Sequence, residues 1–260
     1  MIGAIAGDVI GSVHEGNGSK TKEFPLFDEY CRFTDDTVLT LAVASGLLTG
    51  VNYIDSLHEF FHQYPQVGYG GSFIQWAVSR SRKPYNSWGN GSAMRVSPVG
   101  FAFDSIEQVM THARLTAEVT HNHPEGIRGA QATAVAILLA RMQYSKSQMK
   151  EYLEGEFGYN LSRALDDIRV DYEFDVSCEG TVPPSIIAFL ESTDYEDAVR
   201  NAISLGGDSD TMACIAGGIA EAYYGEVPIH IVTQTLERLD PRLNKIVSDF
   251  SNRFGNRRIN

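Results

Sequence analysis

The sequence predicts an all-α protein, and three observations carry that reading. Apolar runs are bounded by capping residues at helical spacing, and no stretch alternates between turn signals as strands do. Gly3, Gly7 and Gly11 recur four apart, which puts all three on one helix face and lets another backbone approach closely. The 260 residues suffice for one large domain or two small ones, and the absence of a Pro/Gly/Ser linker or low-complexity run favours one domain over 1–260. A 43% hydrophobic share is that of an ordinary globular chain rather than a disordered one.

The net charge of −12 counts against broad affinity for nucleic acid or an anionic membrane, both of which need a basic face. Arg253, Arg257 and Arg258 form a small basic tail, read as a solvated helix end. Cys31, Cys178 and Cys214 are odd in number, widely spaced and outside any C-x-x-C pattern. They suggest neither a disulfide framework nor a zinc site, and a reducing cytoplasm is expected. Met1 to Val13 lacks a basic start and contains Asp8, so it does not read as a signal peptide. No stretch reaches the roughly 18 uncharged apolar residues of a membrane span.

In chain order, Met1 to Val13 reads as a buried helix, followed by the flexible loop Gly16-Asn17-Gly18-Ser19. Glu15, at the start of that loop, reads locally as a solvated residue. Lys20 to Arg32 has few helix signals and reads as an irregular flap. Thr34-Asp35-Asp36-Thr37 then opens an apolar helix, Val38 to Leu48, and a further helix over Asp55 to Gln63 would be capped by Asp55. Before the helical run Phe73 to Ser81 comes Gln66 to Ser72, in which Gly70, Gly71 and Ser72 leave N–H groups free. Such a start can hold an anion, though an ordinary turn with a cap fits the residues equally well.

Asn86 to Arg95 is unusual for its small polar residues, with Ser87, Gly89, Asn90 and Gly91 around the aromatic Trp88. Backbone there can approach a polar ligand closely. Trp88 could stack on a base or sugar, or plug a gap; Arg95 could pair with a carboxylate or phosphate, structural pairing being the commoner fate. Ser105 to Ala117 reads as an amphipathic helix, and Pro124 with Glu125 starts a long one to Met142. His121 and His123 lack a third soft ligand nearby, so a hydrogen-bonding role suits His121 better than metal ligation. Residues 145–175 read as surface helices and a loop, with Asp166, Asp167, Asp171, Glu173 and Asp175 on a solvated face. Further helices are expected from Val182-Pro183-Pro184 through Leu190, over Tyr195 to Ser204, and as two short pieces within Pro228 to Phe254.

Between the last two groups lies Gly206-Gly207-Asp208-Ser209-Asp210-Thr211, which runs into the small-residue helix Met212 to Ala220. Alone, Asp208 and Asp210 are good helix-start residues. The similar start at Thr34 to Thr37 changes their weight, because two such starts meeting would gather four carboxylates and two hydroxyls. Like charges so close repel unless protonated or bridged by cations, and hard oxygen donors suit Mg²⁺ or Mn²⁺.

Taken together, Gly7-Asp8-x-x-Gly11 with Glu15, Thr34-Asp35-Asp36-Thr37, Gly89 to Arg95, Thr120-His121-x-His123-Pro124 and Gly207 to Thr211 resemble the ADP-ribosylglycohydrolases. That family includes the dinitrogenase-reductase-activating glycohydrolase and the ADP-ribosyl-arginine and ADP-ribosyl-serine hydrolases. Each motif alone is weak; five in the family's order are specific. The resemblance implies a compact multi-helix domain with a dinuclear Mg²⁺ or Mn²⁺ site. By motif, Thr34, Asp35, Asp36, Asp208, Asp210 and Thr211 would hold the metals, and Gly70, Gly71 and Ser72 would receive a diphosphate. Ser87, Trp88, Gly89, Asn90 and Gly91 would line the phosphate and ribose path, with His121 on the adenosine side.

Glu15 matches a glutamate that only some branches carry, beside the metals and the ribose C1″. It is the expected acid/base or leaving-group contact, and Asp36 is expected to position water as well as metal. Carboxylates near C1″ suit the oxocarbenium character of glycoside cleavage. The implied partner is an ADP-ribosylated protein or a small ADP-ribose conjugate, with arginine the first expected acceptor because a carboxylate-rich cleft suits a guanidinium. Serine, a nucleobase or O-acetyl-ADP-ribose are alternatives, as are a non-catalytic ADP-ribose-binding protein and a two-metal phosphatase or phosphodiesterase.

Overall fold

Short polar side chains close seven of the fifteen helix starts among the described residues. A computed structural model describes residues 1–255 and 259. Among them are α1 (Ile2–Gly11), α2 (Asp35–Thr49), α3 (Tyr53–Gln63), α4 (Gly71–Val78), α5 (Gly91–Met94), α6 (Ser97–Ala102), α7 (Ile106–Glu118) and α8 (Pro124–Arg141). There follow α9 (Lys146–Phe157), α10 (Leu165–Asp171), α11 (Cys178–Leu190), α12 (Tyr195–Ile203), α13 (Ser209–Tyr224), α14 (Ile229–Glu237) and α15 (Pro241–Phe254). No strand occurs among the described residues; the β element there is an isolated bridge between Gly89 and Ser177.

The glycines of α1 explain the centre of the fold. A Cβ on Gly3 would lie 2.6 Å from the Gly217 carbonyl oxygen, one on Gly7 would collide with the Ala213 carbonyl, and one on Gly11 would lie 2.5 Å from the Asp210 Cα. Contacts that descend α13 as they ascend α1 make the pair antiparallel, at a closeness only glycine permits. The C-terminus of α1 therefore meets the N-terminus of α13. Helix α8 packs against α13, with its Gly126 close to Ser87 and His121 and its Gly129 close to Cys178 of α11, and α2, α11 and α12 close the core.

Several boundaries differ from expectation, each for an identifiable reason. The cap of α3 is Asn52, whose side chain accepts from the Asp55 N–H, so Asp55 sits in the first turn instead of capping it. Helix α4 starts at Gly71 and ends at Val78, so Gly71 and Ser72 of the expected preceding loop open its first turn, with Gly70 at the N-cap position. Helix α11 begins at Cys178, about a turn before Val182, with Pro183 and Pro184 inside it. Ser177 caps it and the bridge to Gly89 fixes the chain upstream, so a tertiary contact overrides the proline signal. The short α5 and α6, which close the Asn86 to Arg95 stretch, have no clear periodicity in sequence. Arg257 and Arg258 of the expected basic tail lie outside the described residues, and the Arg253 guanidinium donates to the Leu48 carbonyl oxygen at 2.9 Å.

Residues 20–32 are non-helical but well anchored. Arg200 donates to the Lys22 and Phe24 carbonyls at 2.8 Å, and Arg238 to those of Asp28 (2.9 Å) and Cys31 (3.2 Å). The flap thus reaches the acidic end of the α1/α13 pair as a fixed strap.

Candidate functional site

Two helix starts supply the acidic centre. Thr34 caps α2 by accepting from the Asp36 N–H, and it also donates to the Asp8 carboxylate of α1 at 2.6 Å. Asp8 accepts further from the N–H of Thr34 (3.0 Å), the N–H of Thr37 (3.1 Å) and the Thr37 hydroxyl. This fully buried carboxylate fastens the start of α2 onto α1. Asp208, by contrast, makes no side-chain cap on α13. The Asn90 amide holds its carboxylate at 2.7 Å and reaches the Thr181 hydroxyl at 3.1 Å, so the simple helix-cap reading fails at that residue.

One oxygen from each of Asp8, Asp36 and Asp210 lies within 4.8 Å of the other two, and the same holds for Glu15, Asp208 and Asp210. Asp210 belongs to both groups. Burial pushes the carboxyls of Asp8, Asp36, Asp208 and Asp210 up from the usual range, and the charge of Asp210 raises Asp36 further. Asp35 is pushed up to about 8, by burial first and then by Asp8. No Lys or Arg forms an ion pair with these groups among the described residues. The Asp36 Oδ1 is buried without a hydrogen-bond partner among them. An orphaned carboxylate oxygen amid uncompensated acids fits a hard divalent cation. Thr211 completes the inner wall, donating to Asp36 Oδ2 at 3.3 Å.

A cleft of about 810 Å³ opens over this centre. Every residue expected from the sequence to bind metal or ligand lines it: Glu15, Thr34, Asp35, Asp36, Gly70, Gly71, Ser72, Ser87, Trp88, Gly89, Asn90, Gly91, His121, Asp208, Asp210 and Thr211. They are not equivalent. Asp35 stands outside both carboxylate groups, against Gly68, where a Cβ would come within 3.2 Å of its Oδ1. Glu15 is exposed at the cleft mouth, its carboxyl raised by burial and by Asp208 while Arg32 pulls it down. Trp88 is 50% exposed, so it faces the cleft and plugs no gap.

The far wall is held by backbone pairing. The Asn90 N–H donates to the Val176 carbonyl at 2.7 Å and the Cys178 N–H to that of Trp88 at 3.0 Å, which brings Phe174 and Val176 to the cleft. His121 is kept neutral by burial and by Arg95. His123, its neighbour in sequence, accepts from the Glu125 N–H and caps α8.

Sequence reasoning missed three things here. Asp8 was visible as an ionisable residue in a glycine-rich apolar helix, which is itself a signal. The Asn90 to Asp208 link and the depth of Arg95, fully buried without a carboxylate partner among the described residues, have no local signature.

The family model described as ADP-ribosylglycohydrolase matches residues 1–259. ADP-ribosylhydrolase ARH3 of Mus musculus is 29% identical over 305 residues, covering 86% of this chain and 82% of its own; the Homo sapiens protein is also 29% identical, at 86% and 84%. A putative ADP-ribosyl glycohydrolase of Acanthamoeba polyphaga mimivirus is 27% identical, covering 88% and 87%. A solved structure titled ADP-ribosylglycohydrolase-related protein complex superposes with a TM-score of 0.67 at 24% identity, over 97% of this chain and 96% of that one. This last likeness bears on the fold alone.

Proposed function

The chain belongs to the ADP-ribosylglycohydrolase family, and from that premise we propose that residues 1–260 act as one domain that hydrolyses the glycosidic bond between ADP-ribose and a modified acceptor. The observation that carries the reading is one cleft that joins the two carboxylate groups to the glycine start of α4 and the Ser87 to Gly91 loop. A carboxylate-rich end and a polar, backbone-lined end suit a ligand with a reactive ribose at one side and a diphosphate and nucleoside beyond it.

Asp8, Asp36, Asp208 and Asp210, with the hydroxyls of Thr34 and Thr211, are the oxygens that would hold divalent cations, with Glu15 beside them, and the sharing of Asp210 between both groups supports two of them. Asp35, beside the α4 loop, is then a ligand or a link to the diphosphate side. When bound, Mg²⁺ or Mn²⁺ supplies electrophilic stabilisation at the ribose hydroxyls and eases ionisation of water. The protein's own part is to orient the ribose and stabilise positive charge at C1″ as the bond to the acceptor breaks. Glu15, partly desolvated and exposed to the acceptor side, takes a proton from the incoming water or gives one to the leaving group. The α4 start, with its N–H groups uncovered by side chains at Gly70 and Gly71, receives the diphosphate.

Arginine is the first acceptor proposed, because the exposed Glu15 carboxylate can pair with a guanidinium. A hydroxyl acceptor such as serine is the second reading, favoured by Arg32, whose cation lines the mouth beside Glu15 and would repel a second guanidinium. A phosphatase or phosphodiesterase would release phosphate or AMP instead of ADP-ribose. A cytoplasmic setting agrees with three cysteines that are all unpaired. No described helix is long and apolar enough to cross a membrane.

The test is release of ADP-ribose from arginine-modified and serine-modified proteins in parallel, with Mg²⁺, with chelator, and with Asp36→Ala. Metal-dependent release from one substrate supports the reaction and assigns the acceptor. ADP-ribose binding without release from either substrate would turn the reading towards a binding protein.

A further inference from the structure

One buried cation has no place in the chemistry above. Arg95 is fully buried at the floor of the cleft, and its Nη2 donates to the Thr116 carbonyl at 2.8 Å and to the Thr120 hydroxyl oxygen at 2.9 Å. That hydroxyl lies 2.7 Å from Nδ1 of His121. The other imidazole nitrogen, Nε2, makes no hydrogen bond among the described residues. It stands beside the ligand loop, where a Cβ on Gly91 would come within 3.1 Å of it and one on Gly89 within 3.6 Å.

We propose that Arg95 and Thr120 form a relay that locks His121 as the Nε2–H tautomer, so that the cleft presents a fixed neutral donor to a ligand oxygen or nitrogen acceptor. The guanidinium cannot accept, so it occupies a lone pair of Thr120 Oγ1 and polarises the O–H. Beyond Arg95 and His121, no side chain forms a hydrogen bond with this hydroxyl among the described residues. The Nδ1–H tautomer would leave the buried Thr120 O–H without an acceptor, so Thr120 gives its own proton to Nδ1, and a neutral imidazole that accepts at Nδ1 must carry its hydrogen on Nε2. The nearby Arg95 charge opposes a second proton on the ring, so the group does not turn into a cation for phosphate. Arg95 and Thr120 are positioning residues; His121 alone touches the ligand.

This inference rests on the reading that the cleft holds ADP-ribose, and the test separates the two. Protein labelled with ¹⁵N-histidine, without ligand, is recorded in long-range proton–nitrogen correlation spectra, in which the two tautomers give distinct nitrogen shifts. ADP-ribose affinity is measured by calorimetry on the same samples. Parent protein should give the Nε2–H pattern at His121. Thr120→Val, which keeps the side-chain shape and removes the hydroxyl, should give a mixture of tautomers and weaken ADP-ribose binding by about fivefold to tenfold, the scale of one lost hydrogen bond. Thr120→Ser should restore both properties. A Nδ1–H pattern in the parent, or Thr120→Val with tautomer and affinity unchanged, overturns the relay. The expected tautomer with no ADP-ribose binding leaves the relay standing and overturns the proposed function.

Discussion

The α1/α13 pair carries buried carboxylates at both ends, and the two ends treat them oppositely. At one end Glu221 accepts from the terminal ammonium of Met1 and from the Gly3 N–H at 2.8 Å, so its charge is answered within the protein. At the other, Asp36 and Asp210 face more acid, with an orphaned oxygen on Asp36 and no cation supplied by the described chain. The same helix contact supports both ends. The difference is one of purpose: a compensated charge fixes packing, whereas an uncompensated set holds its shape only if something from outside completes it.

The most drastic way to break this contrast is Asp36→Ala. It should lower catalysed release of ADP-ribose by at least about 10²-fold, the scale of losing one preorganised electrostatic contact. It should also relieve repulsion in metal-free protein, so its melting temperature in chelator should equal or exceed the parent's. At the compensated end, Glu221→Gln should do the reverse, destabilising by about 3–5 kcal/mol because it strips one partner from a buried pair. Calorimetry in urea would read this, and Mn²⁺ affinity of the folded variant should stay at the parent value. Unchanged stability would abolish the distinction between the ends.

Gly7→Ala attacks what the ends share. Its Cβ would meet the backbone carbonyl of Ala213, so the helices must part, at a cost of about 1–3 kcal/mol. Both stability and metal affinity should fall together; a loss of one alone would mean that the ends are independent.

The gentlest probe is pH in the presence of chelator. The folded Asp35 carboxyl is raised to about 8, while an unfolded one titrates near ~4. The metal-free fold therefore keeps protons that the unfolded chain has lost, and its stability should decline as pH rises through that window. Saturating Mg²⁺ or Mn²⁺ should flatten or invert the slope, read as melting temperature against pH. A flat profile in chelator would show that the acidic end is not under electrostatic load.

Much of the fold was legible because helix signals are local. Ser105, Ser145 and Asp194 accept from N–H groups of their own first turns, so caps in the sequence mark real helix starts. The candidate site was legible for a related reason, since most of its residues sit in short motifs near helix starts, and the residues expected to bind metal or ligand all line one cleft. What escaped was what packing creates. Asn52 displaced Asp55 as a cap, and Cys178 began a helix ahead of two prolines because Ser177 was already bridged to Gly89.

By itself the sequence determined that the chain is helical, that its first helix can admit another backbone at Gly3, Gly7 and Gly11, and that two acidic helix starts exist. These follow from side-chain size and capping chemistry within a few residues. Only the tertiary structure decided that Asp8 fastens the start of α2, that Asn90 holds Asp208 in place of a helix cap, and that Arg95 stands behind Thr120 and His121. Each of those contacts joins residues from different elements. Their energies depend on burial and on which donors remain unused, and neither exists until the helices have packed.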